Sequence, residues 1–527
     1  MRLPINASKI PQADKNPTVL LLLEIIQKQA EEIQLLKDEI ARLKGQSPRP
    51  KIRPSKLESG KKGKSKNTGN KKRPGSNKRN KTKKLEIHET EIMEPEDIPV
   101  GSTFKGYNDF IVQGLKVHAH NTRYRLKTYE APNGQYIAGK LPENINNKHY
   151  SPELIRYILY QCYHAQVTQP ILLEQLNEFG VDISSGQLNN ILIEGKDVFH
   201  QEKDAILSAG LEASSYINVD DTGARHKGKN GYCTYIGNES FAWFESTGSK
   251  SRINFLKLMS AGNSDYLINT DAIAYMTINK LPKKATETIV TNLGAYFITD
   301  DQWDDFLLIN GIIDPRHIQI ATEGALIGSI VEQGINSHLV IVSDDAGQFN
   351  VLMHALCWIH AERAINKIVP FSDQAKEDLN NVRDQIWTLY EALKNYKENP
   401  TEKDKKRLEA SFDEIFSQKT QSATLNAALK RIYNNKKELL LVLDRPDIPL
   451  HNNSAENGIR EYVKKRKISG STRSETGRRC RDTFTSLKKT CRKLGISFWE
   501  YLIDRICNFS EVPKLADLVR QRLLNPG

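Results

Sequence analysis

Apolar positions recur at alternating spacings of three and four through Val19, Leu22, Ile26, Gln29, Ile33, Leu36, Ile40 and Leu43, with Gln29 the one polar member. Charged residues such as Glu31, Lys37 and Glu39 lie off this seam. A lone helix of that length is marginal in water, so the pattern predicts a coiled coil between chains over 17–44. Packing within a single chain is the bland alternative. At Gly45 the apolar pattern stops. Residues 45–90 are rich in Lys, Gly, Ser, Asn and Pro, bury too little to offset chain entropy, and are expected to form a disordered basic linker.

Alternating apolar residues and the Asn133-Gly134 turn predict a small β-rich element over 110–141. Helical spacing begins at Ser151-Pro152, a cap followed by a first-turn proline, and predicts helices over 152–165, 170–179 and 185–208. Leu172 to Leu192, with its turn at Gly180 to Ser184, has the form of a helix-turn-helix, which places 105–210 together as a β-rich and DNA-binding-like region. A scaffold touching no DNA is an equal reading, because Gln187, Asn189 and Asn190 are followed by no Lys or Arg until Lys196.

Strand pattern follows at Ser215–Val219, Tyr232–Ile236 and Phe241–Glu245. A continuous apolar run at Leu339–Ser343 reads as a strand buried on both faces. A short strand near Ala355–Cys357 leads into a long helical stretch over 361–448. A further helix starts after Asn452-Asn453-Ser454 and carries Glu456. The fold class is therefore α/β, with a core over 211–510, an extra segment at 260–336, a helical insertion at 361–448 and a tail at 511–527.

Charge sharpens this picture. The chain has 527 residues and a formal net charge of +12. Arg49 to Lys84 holds 16 Lys and Arg against Glu58, a local +15, so the remaining chain stands near −3. A near-neutral body with a basic strap points to a polyanionic partner, and Lys71, Lys72 and Arg73 are candidate phosphate contacts. The six cysteines form no CxxC pair, which argues against a zinc ribbon or a disulfide framework. Val19 to Ile26 is too short to span a bilayer, and neither a signal peptide nor a membrane partner is expected.

Two strands end in acid pairs, Asp220-Asp221 and Asp344-Asp345, and one helix offers Glu456 in its first turn. Carboxylates drawn together repel unless a proton or a cation lies between them. Magnesium takes such hard oxygen ligands, and two ions about 4 Å apart can hold both the attacking and the leaving oxygen of a phosphoryl displacement. Periodicity does not separate Asp220 from Asp221, or Asp344 from Asp345. Each has a bland reading as a helix cap or a turn residue. Asp300, Asp301, Asp304 and Asp305 are read as structural, since Thr299 and Gln302 have capping-box spacing. Cys357 and His360 are too few for a structural zinc site and are read as near-site structural residues.

The motifs around these acids resemble those of the insertion-sequence-66 family of transposases. The matching segments are Val219-Asp220-Asp221-Thr222, Ser343 to Asn350, Cys357-Trp358-Ile359-His360 with Ala361 and Arg363, and Asn452-Asn453-Ser454-Ala455-Glu456 with Arg460. Arg466-Lys467, Ser469-Gly470-Ser471, Gly477, Ser486-Leu487, Thr490 and Tyr501-Leu502 continue the match, which covers roughly 149–504. The resemblance implies an RNase H-like core and a catalytic, metal-binding triad of Asp220, Asp344 and Glu456 with two Mg2+ or Mn2+ ions. It implies cleavage and joining of double-stranded DNA at element ends and target, in the cytoplasm of a bacterium at its nucleoid. Small accessory proteins are possible partners. Arg460, Lys464, Lys465, Arg466 and Lys467 are expected DNA contacts, and Arg363 a near-site structural residue. A regulator that has lost catalysis, or a nuclease without strand transfer, is the alternative. The cysteine-rich segment often found in the family is absent at Phe110–Leu141, so no zinc is expected there, and 260–336 is longer than the pattern requires.

Overall fold

The computed structural model describes residues 22, 25, 26, 29, 86–93, 110–142, 149–262 and 265–525. Leu22, Ile25, Ile26 and Gln29 are helical. The rest of the expected coiled coil, and the basic stretch with Lys71, Lys72 and Arg73, lie outside the described residues.

The Asn133-Gly134 turn closes a hairpin of Thr128–Glu130 with Tyr136–Ala138. Gly134 takes a φ of +80°, which glycine adopts without steric cost. Residues 110–127 have no regular structure, so the β character expected over 110–141 is confined to this hairpin.

Helices Pro152–Leu159, Gln169–Glu178 and Ser185–Ile193 follow, then α1, Asp197–Ala213. Ser184 and Gln187 make a reciprocal capping box at the start of the third. The single helix expected over 185–208 is broken, because Gly195 enters the left-handed region at φ +63° and the chain restarts at Asp197.

The described residues build a mixed five-stranded sheet from β1 (Tyr216–Gly223), β2 (Tyr232–Gly237), β3 (Ala242–Thr247), β4 (Val340–Ser343) and β5 (Met353–Leu356), in the order β3-β2-β1-β4-β5. The β1, β2 and β3 pairings are antiparallel, whereas β4 runs parallel to both β1 and β5. One face carries Ile217, Val219, Ile236, Trp243 and Ile341. It packs on α1, on α2 (Pro315–Glu332) and on a later helix, Glu475–Leu494. The other face carries Tyr235 and Phe244, which share a core with Ala455, Ile459 and Tyr462, and Val340 and Val342, which share one with the helical insertion.

That insertion is α3 (Trp358–Asn366), α4 (Asp373–Glu398), α5 (Glu402–Ser417) and α6 (Ala423–Asn434), closed around Leu379, Ile386, Leu393, Phe412 and Leu429. The segment 260–336 is not uniform. Its front half is a two-stranded pairing, Tyr266–Leu267 with Tyr296–Phe297, carrying three short helices. Its back half is α2, whose residues Ile320 to Ile330 are all buried. The acid-rich helix there begins as a cap: Thr299 accepts from the Gln302 N–H, and Asp300 accepts from Tyr266 at 2.7 Å.

The chain continues into α7 (Asn453–Ser469) and α8 (Glu475–Leu494). The stretch expected as a C-terminal tail instead holds a helix, Leu515–Leu524, with Leu515 and Val519 fully buried. Val117–Gly527 forms one compact unit. Among the described residues no helix is long and apolar enough to cross a membrane.

Candidate functional site

Strand parity decides which acid of each pair faces which way. In β1, Ile217 and Val219 point into one core while Asn218 and Asp220 point to the opposite face, since side chains alternate along a strand. Asp220 is paired with Tyr235, whose ring lies under α7. In β4, Val340 and Val342 share the face of Asn218, and the register pairs Asn218 with Val342. Two residues further on, that parity brings Asp344 beside Asp220. β1 runs on to Gly223, further than the sequence pattern predicts, while β4 stops at Ser343. Asp220 therefore sits where the parallel neighbour ends and the sheet opens, not at the end of its own strand.

The remaining two acids are engaged elsewhere. Asp221 accepts from Gln348 Nε2 at 2.7 Å. Asp345 accepts from Arg431 Nε at 3.0 Å and from Asn435 at 3.3 Å, both on the helical insertion side.

Glu456 reaches the same face through a fastened loop. Asn452 is 1% exposed. Its amide does not cap α7; Nδ2 donates to the Val219 carbonyl at 2.7 Å, and Oδ1 accepts from Asn218 Nδ2 at 2.9 Å. Its backbone N–H donates to Cys357 Sγ at 3.2 Å, and the Trp358 N–H donates to the Leu450 carbonyl at 3.0 Å. Cys357, 1% exposed, thus ties the start of α3 to the start of α7. Gly458 allows α7 to lie close on β2, because a Cβ there would meet the Tyr235 ring at 2.5 Å.

The electrostatics follow from this convergence. Burial first, and then the charge of Asp344, push the Asp220 carboxyl up to about 7, with Asp221 and Glu456 adding in the same direction. Hard carboxylate oxygens are what Mg2+ or Mn2+ takes, and a carboxyl raised by its carboxylate neighbours is relieved by a cation among them. Asp220 and Asp344 fit that demand. Glu456 is turned toward a different partner: Arg363 Nη1 lies 2.9 Å from Oε1, His360 Nε2 3.7 Å from Oε1, and Arg460 Nη2 3.6 Å from Oε2. Among the described residues, no three His, Cys, Asp or Glu side chains are gathered tightly enough to hold a metal ion as they stand.

Of the cations expected to touch DNA, Arg460, Lys464 and Lys467 are exposed on α7. Their spacing from Glu456 places them in one stripe along the helix. Lys465 does not join them: it is 9% exposed and donates to the Cys162 carbonyl at 2.8 Å. Arg466 is turned back onto β1, donating to Thr222 Oγ1 at 3.3 Å and to the Gly223 carbonyl. The helical period explains the split, since one position further along turns a side chain by about 100°. Sequence reading missed Asn218, Gln348 and Arg431. Asn218 had a signal, lying two residues before Asp220 on the same strand face, and Gln348 lay inside the matching Ser343 to Asn350 segment; Arg431 had none.

Residues 326–479 match the Transposase IS66 family. That span begins inside α2 and includes Asp344, Arg363 and Glu456, but not Asp220. The chain is similar to an uncharacterized protein, y4jO, of Sinorhizobium fredii (strain NBRC 101917 / NGR234). The two are 43% identical over 303 residues, which cover 57% of this chain and 94% of the relative.

Proposed function

The chain belongs to the IS66 family of transposases, and on that premise we propose that it cleaves DNA at the ends of an insertion sequence and joins those ends to target DNA. The observation that supports this reading best is the shared face of Asp220, Asp344 and the Glu456 helix, with the Asp220 carboxyl pushed up by burial and then by its acidic neighbours. We read the mixed sheet and its covering helices as an RNase H-like core.

In this proposal Asp220, Asp344 and Glu456 would hold two divalent ions, Mg2+ or Mn2+. Such ions supply activation of an attacking oxygen and stabilisation of the leaving oxygen in an in-line displacement at phosphorus. The chain's own residues do the rest. Asn452 and Asn218 fix the loop and strand that carry the acids. Arg460, Lys464 and Lys467 offer phosphate contacts along α7 and orient the duplex without reading its sequence. The basic stretch with Lys71, Lys72 and Arg73 adds salt-sensitive affinity. Pairing between chains through 17–44 would bring two element ends together.

The test is direct. Purified protein is incubated with end-labelled duplexes made from DNA flanking the gene, with and without Mg2+ or Mn2+. Metal-dependent nicks with free 3′-hydroxyls, and joined products with a target plasmid, are expected. The ion pair on Glu456 is the one observation favouring a second reading, a regulator that has lost catalysis. Tight duplex binding with no nicking under any metal would select that reading. Nicks without joined products would select a nuclease.

A further inference from the structure

Glu456 is held by more positive charge than one carboxylate requires. Arg363 reaches both of its oxygens, Nη1 to Oε1 at 2.9 Å and Nη2 to Oε2 at 3.5 Å, and Arg460 approaches Oε2 at 3.6 Å. Two guanidiniums face one carboxylate, so the pair of elements α3 and α7 carries an uncompensated positive charge here. Arg363 also touches His360, whose Nδ1 has no hydrogen-bond partner among the described residues. Among the described residues neither Asp220 nor Asp344, on the same face, has a cationic side-chain partner; they accept from the backbone N–H groups of Asp221 and Ala346. The site is thus split: its third carboxylate is paired with arginine while its first two have no ion-pair partner.

We propose that Arg363 is a positioning residue that latches Glu456 away from Asp220 and Asp344 in the DNA-free protein, and that a DNA backbone phosphate releases it. The inference rests on the reading of the site given above. A guanidinium presents two parallel N–H donors that match a carboxylate or a phosphate equally well, so exchange of one oxyanion for the other keeps both hydrogen bonds. The Arg363 side chain is 35% exposed, against 16% for Glu456, so an incoming phosphate meets the arginine before the carboxylate. Once Arg363 turns to phosphate, Glu456 loses its bidentate partner and is free to face the two aspartates. Metal capture then depends on DNA being present, which protects DNA-free protein from holding a charged, reactive centre. Lysine would latch Glu456 less firmly, since a single ammonium grips one oxygen as a point charge.

The experiment measures Mn2+ binding by electron paramagnetic resonance on the full chain, with and without a duplex from the flanking DNA. Wild type is expected to bind Mn2+ more tightly when the duplex is present. Arg363→Gln is expected to bind Mn2+ without DNA about tenfold more tightly than wild type, the factor that ~1.4 kcal/mol makes in a binding constant. Its Mn2+ affinity no longer responds to the duplex. Arg363→Lys, which keeps the charge and the stem, is expected to fall between the two and covers the case in which the glutamine variant does not fold. Equal DNA-free Mn2+ affinity in wild type and both variants overturns the latch. Asp220→Asn and Asp344→Asn separate this from failure of the underlying site. If they bind Mn2+ as wild type does, the carboxylate reading itself fails. If they lose Mn2+ while the Arg363 variants match wild type, only the latch fails.

Discussion

The side-chain amide of Asn218 donates to Asn452 Oδ1 at 2.9 Å while Asn452 Nδ2 donates to the Val219 carbonyl at 2.7 Å, so the strand of Asp220 and the helix of Glu456 are fastened by one buried pair of amides. Asn452→Ala leaves a buried donor and a buried carbonyl without these partners. The expected cost is about 2 kcal/mol, read as a lower urea midpoint with an unchanged slope. Strand cleavage is expected to fall further than duplex binding, because the acids lose their registry while the exposed cations keep theirs. An unaltered midpoint contradicts this role.

Asp221 and Asp345 test the parity argument. Their carboxylates are held by Gln348 and by Arg431, away from the face that Asp220 and Glu456 share. Asp221→Asn and Asp345→Asn are expected to keep cleavage rates within about tenfold of wild type, a loss of at most ~1.4 kcal/mol in barrier height. A larger loss in either variant, with the partner aspartate's variant unaffected, means the wrong acid has been chosen.

Much of the site was legible because its motifs lie at element boundaries that punctuate the sequence strongly. Leu339–Ser343 and the loop before Glu456 fall where the apolar pattern places them. The choice within each acid pair was not legible in periodicity and rested on the motif resemblance alone. A strand buried on both faces shows no alternation of polarity, so only its neighbours reveal which side chain points where. Lys465 and Arg466 misled for a related reason: a run of cations on a helix covers every direction around its axis, and one of them is buried against Cys162. The break at Gly195 was missed because an isolated glycine does not by itself report a left-handed backbone.

Gly458 measures how closely α7 must approach the sheet. Its hydrogen lies where a Cβ would come within 2.5 Å of the Tyr235 ring. Gly458→Ala is expected to destabilise the protein by about 1–3 kcal/mol through overpacking, despite alanine's better helix propensity. Thermal unfolding reads this out, and a stabilised variant would show that α7 has room to spare.

His354 sets a pH limit on the core. Burial pushes its imidazole down to about 4 from an ordinary 6.5, and its Nε2 lies 2.8 Å from Ser343 Oγ. The unfolded chain takes up this proton as pH falls through 6.5, while the folded chain resists until about 4. The stability contribution is therefore intact above pH 6.5 and is lost between 6.5 and 4, by about 3 kcal/mol in all. His354→Gln is expected to flatten that part of the stability profile. A variant with the same pH slope as wild type removes His354 from the explanation.

The central claim is that Asp220, Asp344 and Glu456 act as one unit on DNA. The most direct measurement is the single-turnover rate of strand cleavage on labelled flanking duplex in Mn2+, for Asp220→Asn, Asp344→Asn, Glu456→Gln and the Asp220→Asn/Glu456→Gln double variant. Each single change is expected to slow cleavage by about a thousandfold or more, with duplex affinity retained, and the double variant to be little slower than either single one. Wild-type rates in any of the three single variants, or losses that multiply in the double variant, contradict the claim.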